Sequence, residues 1–144
     1  MRISVKKLRE DARLPHRGSE EAAGADLYAL LDTPLTVQPG ETVRVPTGLS
    51  FELPQGYVGL VFARSSVATK RDLAPANKVG VIDSDYRGEV LVALHNHGTT
   101  PQTVEPFERI AQLVVVPYLA AEYVAADDLT DTARGTGGFG STGK

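Results

Sequence analysis

The chain has 144 residues, of which 42% are hydrophobic and 23% charged, and its formal net charge at neutral pH is -3. This length fits one domain with its own core, and the slight negative charge excludes a general attraction to nucleic acid or anionic membranes. Because there is no cysteine, disulfides and thiolate metal sites are excluded. The N-terminus lacks the apolar core of a signal peptide and no segment reaches membrane-spanning length, so a cytoplasmic location is expected.

Short apolar segments bounded by proline or glycine predict an all-β sandwich or barrel. In chain order, they are residues 3–5, 26–29, 35–37, 42–45, 49–53, 57–62, 80–83, 90–94, 102–104 and 110–117. The one predicted helix is short and spans residues 65–71, where two serines begin the segment and a Lys-Arg pair ends it. Apolar and polar residues do not alternate along 113–116, which indicates a strand covered on both faces. Because the predicted sandwich is small, another subunit could cover one of those faces.

The first candidate site lies in residues 80–89. An apolar segment leads to Asp83, polar residues reverse the direction, and a second segment begins at Val90, which predicts a β-hairpin with a tight tip. Asp83 and Tyr86 would face each other across this tip and line a small pocket whose walls include backbone N–H and C=O groups. An ordinary surface turn is the alternative, because Asp, Ser and Gly populate such turns.

A candidate anion site follows the strand at 57–62. Arg64, Ser65 and Ser66 would bring a guanidinium, two hydroxyls and the first amides of the short helix together. The alternative is a capping serine beside a surface arginine.

Other polar residues have two interpretations each. Asp26 could hold a metal ion through water, although a turn aspartate explains its spacing more simply. Gln112 lies inside an apolar strand, where it is either a satisfied core amide or a ligand contact. His95 and His97 are interpreted as a solvated strand end and not as metal ligands.

Residues 134–144 contain five glycines and cannot support a core, which predicts a flexible arm. Residues 138–144 fit the first seven positions of a phosphate-binding loop, but no strand leads into them. Glycine amides, two hydroxyls and Arg134 could still bind an anion. Phe139 could stack on a planar base, worth about 1–3 kcal/mol. A plain flexible tail is the alternative, and it explains neither side chain.

Taken in order, five blocks of this sequence resemble the trimeric deoxyuridine triphosphate nucleotidohydrolases, the dUTPases. The blocks span nearly the whole chain and are residues 23–27, 64–66, 77–88, 109–113 and 134–143. The resemblance implies a jelly-roll-like β domain in residues 1–133 and an arm in residues 134–144 that closes over a neighbouring subunit's active site. It also implies a homotrimer with shared active sites and Mg²⁺-assisted hydrolysis of dUTP to dUMP and pyrophosphate. That reaction removes dUTP and supplies dUMP for thymidylate synthesis.

The resemblance also implies roles for the candidate residues. Asp83 would activate the water that attacks the α-phosphate in line. Tyr86 would pack against the deoxyribose and exclude a 2′-hydroxyl, Phe139 would stack on uracil, and Asp26 would hold waters of the Mg²⁺ ion. Uracil's edge would be bound, with no space for thymine's methyl group, by Asn77, Gly80, Val81 and Ile82. The phosphates would be bound by Arg64, Ser65, Ser66, Gln112, Arg134, Gly138, Gly140, Ser141 and Thr142.

Two departures from the family pattern leave alternatives open. Ser66 replaces the glycine that is more usual in the second block, and Arg-Ser-Ser also occurs in the dCTP deaminases, which share this fold. Those enzymes carry a glutamate at the position of Ala93 and lack a tail of this kind. A non-catalytic trimeric β-sandwich that binds nucleotides or proteins is a further alternative.

Overall fold

In the computed structural model, residues 1–138 are described, and they form twelve strands and one helix. The strands are β1 (Ser4–Lys7), β2 (His16–Arg17), β3 (Ala25–Tyr28), β4 (Leu35–Val37), β5 (Thr42–Pro46), β6 (Leu49–Glu52), β7 (Tyr57–Ala63), β8 (Leu73–Pro75), β9 (Gly80–Ile82), β10 (Leu91–Asn96), β11 (Gln102–Val104) and β12 (Arg109–Pro117). The helix α1 (Ser65–Arg71) lies between β7 and β8. The predicted all-β class and the bounds of the short helix are confirmed.

All strand pairs in the described part are antiparallel. A five-stranded sheet has the order β2-β3-β12-β7-β9, and a three-stranded sheet has the order β5-β10-β8. Two further pairs, β1-β6 and β11-β4, complete the fold. β7 and β12 pair over seven residues, from Ala63 opposite Ala111 to Tyr57 opposite Pro117.

The two strands around residues 83–90 belong to different sheets, so the predicted β-hairpin is wrong. β9 pairs with β7, whereas β10 pairs with β5 and β8. The tight turn itself is present, because the Tyr86 N–H donates to the Asp83 carbonyl at 3.2 Å. Alternating apolar segments and a turn predict two strands, but they do not determine whether those strands pair with each other or bury their side chains from separate sheets.

Large aliphatic side chains from both larger sheets and from β6 are fully buried in one core, among them Leu27, Leu49, Leu73, Leu94 and Ile110. Along β12, Leu113 is buried while the valines at 114–116 are partly exposed. The expected cover on both faces is therefore incomplete within one chain. No helix in residues 1–138 is long and apolar enough to cross a membrane.

After β12 the chain leaves the sheets. Residues 118–138 form no helix or strand and are almost entirely exposed. Leu119, Tyr123, Val124 and Leu129 are 79–94% exposed. Such a row of exposed large apolar side chains is unusual for a surface that only meets water.

A buried amide fixes the end of β10. Asn96 is fully buried, and its Nδ2 donates to the carbonyls of Val37 (2.9 Å) and Thr100 (2.8 Å). Its Oδ1 accepts the Gly98 N–H at 2.9 Å. One side chain thereby satisfies three backbone groups where β4, β10 and the loop after β10 meet.

Replacing this amide should destabilise the fold. Asn96→Ala leaves two carbonyls and one N–H without that partner, and we expect the free energy of unfolding to fall by about 3 kcal/mol. Guanidinium denaturation at matched protein concentration measures the change, because subunit association would add to the apparent stability. Thr99→Ala, on the exposed side of the same loop, is the control. A loss no larger than that of the control would contradict the assignment.

Candidate active site

A pocket of about 260 Å³ opens beside β9 and is lined from both larger sheets. Val61 comes from β7, and Leu91, Val92 and Ala93 come from β10. Apart from Phe139, which lies outside the described residues, the structure gathers here the residues that the sequence assigned to a base and sugar site: Asn77, Gly80, Val81, Ile82, Asp83 and Tyr86. The expected meeting of Asp83 and Tyr86 in one pocket is therefore confirmed, although they are not on a hairpin.

The edge of a sheet supplies polar backbone to this pocket. Within the described residues, β9 is the outer strand of the five-stranded sheet and pairs with β7 alone. An edge strand has outward N–H and C=O groups that can bind a flat polar ligand. A Cβ on Gly80 would lie 3.2 Å from the Val61 Cβ and 3.6 Å from the Asn77 Nδ2. Glycine at this position therefore keeps the strand edge close to the Asn77 amide.

Asp83 and Tyr86 stand at the two ends of the turn that follows β9. The Asp83 side chain is exposed, so water and a phosphate could both reach its carboxylate. Tyr86 is 45% exposed, and its hydroxyl donates to the Glu89 carbonyl at 2.9 Å. A carboxylate and an aromatic ring held by a hydrogen bond thus flank one opening.

A second cluster lies on the opposite part of the five-stranded sheet, where two arginines meet one carboxylate. Arg64 Nε lies 2.7 Å from Asp26 Oδ1, and Arg109 Nη1 lies 3.2 Å from Asp26 Oδ2. The Asp26 side chain is only 13% exposed. Partial burial strengthens such charge-assisted hydrogen bonds relative to those on an open surface.

Gln112 belongs to this second cluster. It lies opposite Asp26 on β3 and opposite Phe62 on β7, and its Nε2 donates to the Ala63 carbonyl at 2.9 Å. A Cβ on Gly24 would lie 2.5 Å from Gln112 Oε1. The amide is therefore a satisfied polar group whose oxygen approaches a glycine backbone, and its predicted phosphate contact stays a prediction.

Ser65 and Ser66 are exposed at the start of α1. Arg64 occupies the N-cap position of the helix, with no side chain capping it, so the alternative of a capping serine is wrong. At the other end of α1, Arg71 pairs with Glu108, approaches the Gln102 amide oxygen at 3.3 Å and donates to the Thr103 carbonyl. These contacts fix the helix, and with it the serines, to β11 and to the loop before β12.

The structure does not bring the two clusters together within one chain. Gln112 on β12 lies between Asp26 on β3 and Phe62 on β7, so Asp26 is level with Phe62. Ile82, the residue before Asp83, is opposite Gly59 on β7. β3 and β9 are three strand spacings apart. Together with the rise of about four residues along the strands, this puts Asp26 and Asp83 about 20 Å apart.

The remaining predicted site residues belong to the arm. Arg134 and Gly138 are exposed. Residues Phe139, Gly140, Ser141 and Thr142 lie outside the described residues.

The two histidines near the end of β10 bind neighbouring side chains. His95 Nδ1 lies 2.8 Å from Thr42 Oγ1, and His97 Nε2 lies 3.2 Å from Lys78 Nζ. Partial burial lowers the pKa of His97, and the nearby Lys78 and His95 lower it further. No group of three or more His, Cys, Asp or Glu side chains within residues 1–138 is arranged to hold a metal ion.

Sequence reasoning missed Arg109 and Gly24 as members of the second cluster. Both lie within or beside blocks already singled out, Arg109 at the start of 109–113 and Gly24 two residues before Asp26. Simple alternation would put Arg109 and Gln112, three positions apart, on opposite faces of β12, and only the register shift between Arg109 and Ala111 brings them to the same face. The closeness of Gly24 to Gln112 depends on cross-strand register, which sequence alone does not fix.

Known proteins resemble this chain over its whole length. The model of the dUTPase family matches residues 10–143. The deoxyuridine 5'-triphosphate nucleotidohydrolase of Desulfitobacterium hafniense (strain DSM 10664 / DCB-2) is 51% identical over 99% of this chain and 97% of its own. That of Burkholderia cenocepacia (strain HI2424) is 46% identical over 100% and 99%.

Solved structures agree with these sequence matches. The dUTPase of Staphylococcus bacteriophage 80alpha with dUPNHPP superposes with a TM-score of 0.91 at 28% identity, covering 99% of both chains. This match confirms the predicted jelly-roll-like fold. With a family match over nearly every residue and relatives close to half identical, the chain belongs to the dUTPase family.

Proposed function

We propose that this protein is a dUTP diphosphatase, which hydrolyses dUTP to dUMP and pyrophosphate. The observation that carries the proposal is the pocket beside β9, where a strand edge, Asn77, Asp83 and Tyr86 line one opening. Family membership supports the substrate, because the relatives at 46–51% identity are deoxyuridine 5'-triphosphate nucleotidohydrolases. The reaction removes dUTP and supplies dUMP for thymidylate synthesis. The cytoplasmic location stays a prediction from the sequence.

Uracil binds along β9. Its N–H and carbonyl groups form a short row of donors and acceptors, which the outward backbone groups of Gly80, Val81 and Ile82 can match as a neighbouring strand would. Asn77 adds an amide at one end of this row. A slot shaped by backbone discriminates bases sterically, so thymine's methyl group has no space in it.

Asp83 acts as the general base. Its exposed carboxylate at the pocket mouth accepts a proton from the water that attacks the α-phosphorus in line, while the bond to the bridging oxygen of pyrophosphate breaks. Tyr86 packs against the deoxyribose on the same side. Holding water, carboxylate and phosphorus in line supplies most of the rate enhancement.

The phosphates bind to the second cluster of a neighbouring subunit, in a homotrimer with shared active sites. About 20 Å separates Asp26 from Asp83 within one chain, which is too far for one nucleotide's reacting phosphate to contact both side chains. Arg64, Ser65, Ser66 and Gln112 therefore complete the site from another copy. The exposed apolar side chains of residues 118–129 indicate that the segment leading to the arm packs on a neighbouring subunit. The arm, with Arg134, Gly138, Phe139, Gly140, Ser141 and Thr142, closes over the bound nucleotide.

Magnesium fits this arrangement through one carboxylate. Mg²⁺ keeps most of its waters and commonly binds one or two carboxylates together with substrate phosphates. Asp26 lies beside Arg64, which is assigned to the phosphates, and each of its oxygens accepts one guanidinium N–H and retains acceptor capacity for a water. The ion, when bound, neutralises charge on the triphosphate chain. Asp26 holds its waters and orients Arg64.

A dCTP deaminase is disfavoured by the pocket lining. Ala93, at the position where those enzymes carry glutamate, lines the same pocket as Asp83. Its methyl group cannot carry a proton. The other carboxylate there, Glu89, accepts the Gly48 N–H at 2.7 Å.

Asp83→Asn should abolish most turnover while leaving nucleotide binding in place. Amide for carboxylate keeps the shape but removes the base, so we expect kcat to fall at least about a hundredfold. Pyrophosphate release measures turnover, and calorimetry with a non-hydrolysable dUTP analogue measures binding. Asp85→Asn is the matched control, since Asp85 is an exposed carboxylate that does not line the pocket beside β9. Equal turnover of the Asp83→Asn and wild-type proteins would contradict the proposal and favour a non-catalytic binding protein.

Two inactive variants should complement each other if the site is shared. Asp83→Asn lacks the base and Arg64→Ala lacks a phosphate ligand, but in mixed oligomers some sites receive Asp83 from one subunit and Arg64 from another. Co-refolding the two proteins should therefore restore part of the turnover, and refolding each alone should not. No recovery, with mixed oligomers shown by mass spectrometry, would mean that both residues act in one chain.

Removing residues 134–144 should leave the fold and the oligomer intact but reduce turnover severely. In the described part of this segment the backbone bonds are local, such as that from the Gly137 N–H to the Arg134 carbonyl at 3.0 Å. Losing the cover and its ligands should cost about a hundredfold in kcat/KM. Circular dichroism and light scattering check the fold and assembly. Full activity of the truncated protein would contradict a closing arm.

A further inference from the structure

We infer that Gly88 is a positioning residue, which sets where the Tyr86 ring stands and thereby sets the preference for deoxyribose over ribose. This inference rests on the proposed function and adds a specificity residue to it. Gly88 follows Tyr86 by two residues and is not itself one of the residues that line the pocket. Its effect must therefore pass through the tyrosine.

A side chain at position 88 would occupy the space that the Tyr86 ring fills. A Cβ on Gly88 would lie 2.3 Å from the Tyr86 Oη, 2.5 Å from Cζ and 2.8 Å from Cε2. Gly88 is absent from the glycines with positive φ in the described chain, which are Gly40, Gly48, Gly56 and Gly135. The backbone at Gly88 would thus accept an L-residue. The three atoms nearest to such a side chain all belong to the Tyr86 ring, so the position of the ring favours a glycine there.

A hydrogen bond holds the ring in this place. The Tyr86 hydroxyl donates to the Glu89 carbonyl at 2.9 Å, so the ring lies back over Gly88. With its hydroxyl fixed and its lower edge against glycine, the ring has one arrangement. The ring also lines the pocket, where the sugar would bind.

The segment 87–90, which we call the strap, is itself anchored to the start of β6. Ser50 Oγ donates to the Arg87 carbonyl and Thr47 Oγ1 to the Val90 carbonyl, both at 2.7 Å. The Val90 N–H donates to the Leu49 carbonyl at 2.8 Å.

These anchors lie in the protein interior. Thr47 and Ser50 are 1% and 6% exposed, and the Gly48 N–H donates to Glu89 Oε1 at 2.7 Å. The carbonyl that holds the Tyr86 hydroxyl is consequently placed by buried hydrogen bonds and not by a free loop.

Rigidity of the ring is what sugar discrimination needs. An apolar pocket rejects an added hydroxyl only weakly, by roughly a hundredfold, unless the group that excludes it cannot move aside. To make space for a 2′-hydroxyl, the ring would have to break its bond to the Glu89 carbonyl or press into the strap, which Thr47 and Ser50 hold in place. Displacing the ring by one methyl group removes that barrier.

Gly88→Ala tests this directly. The methyl group should push the ring off the strap, and the ratio of kcat/KM for dUTP to that for UTP should fall about tenfold or more. A merely structural defect would lower both values together. Gly18→Ala is the matched control, because a Cβ there meets nothing within 4 Å. It should leave the ratio unchanged.

A second background shows whether the effect passes through Tyr86. In a Tyr86→Ala protein the obstacle is gone, so adding Gly88→Ala should leave the ratio nearly unchanged, a non-additive result expected of residues in contact. If Gly88→Ala alone does not fold, the double variant should fold. In that case Ser50→Ala, which removes one anchor of the strap, carries the selectivity test and should lower the ratio.

The outcomes separate the inference from the function on which it rests. A wild-type protein without dUTP turnover would overturn the proposed function. Normal wild-type turnover with an unchanged dUTP to UTP ratio in Gly88→Ala, or in Ser50→Ala where that variant carries the test, would overturn the role of Gly88 alone. So would a double variant that fails to fold, or an equal loss of selectivity on adding Gly88→Ala to Tyr86→Ala.

Discussion

The pairing of β7 on both sides sets the geometry of the proposed nucleotide site. β12 covers one side of β7 from Tyr57 to Ala63, and β9 covers part of the other. That arrangement leaves β9 at the edge of the sheet with outward backbone groups, which a base can use in place of a next strand. It also sends the chain out of β7 directly into Arg64 and α1, far along the strand from the turn that carries Asp83. In the proposed active site, base recognition and phosphate recognition are therefore separated by the sheet itself.

Local charge explains how an acidic chain could bind a triphosphate at the proposed phosphate cluster. The net charge is -3, yet Arg64 and Arg109 converge on the single carboxylate of Asp26. The cluster carries one surplus positive charge, and Asp26 holds the guanidiniums in place before any ligand arrives. Preorganised donors lose less conformational entropy on binding than free side chains do. A half-buried ion pair thus serves orientation more than stability.

Much of the fold follows from local sequence, and the site follows only in part. Apolar segments between proline and glycine predicted the strands, and the Ser-Ser start and Lys-Arg end predicted α1 with the observed bounds. Asp83 and Tyr86 are expected in one pocket because they flank the tip of the predicted turn, with two residues between them. The predicted hairpin is wrong because the pairing of strands depends on contacts between residues distant in sequence, such as those of Ser50 and Thr47 with the strap. The fit of Gly88 beneath Tyr86 likewise requires side-chain positions that no periodicity encodes.

The exposed segment 118–129 and the open faces of β12 have a common physical explanation in the proposed trimer. Leu119, Tyr123 and Leu129 have large apolar surfaces in water, and the valines at 114–116 leave part of a strand uncovered. Burying such surfaces stabilises association by about 25 cal/mol per Å² of apolar area removed from water, before the costs of association are subtracted. If a neighbour covers these surfaces, the contact that makes the oligomer also brings Asp83 of one subunit to Arg64 of another. Assembly and completion of the active site are then one event, so a dissociated chain has a base pocket and a phosphate cluster but no site that contains both.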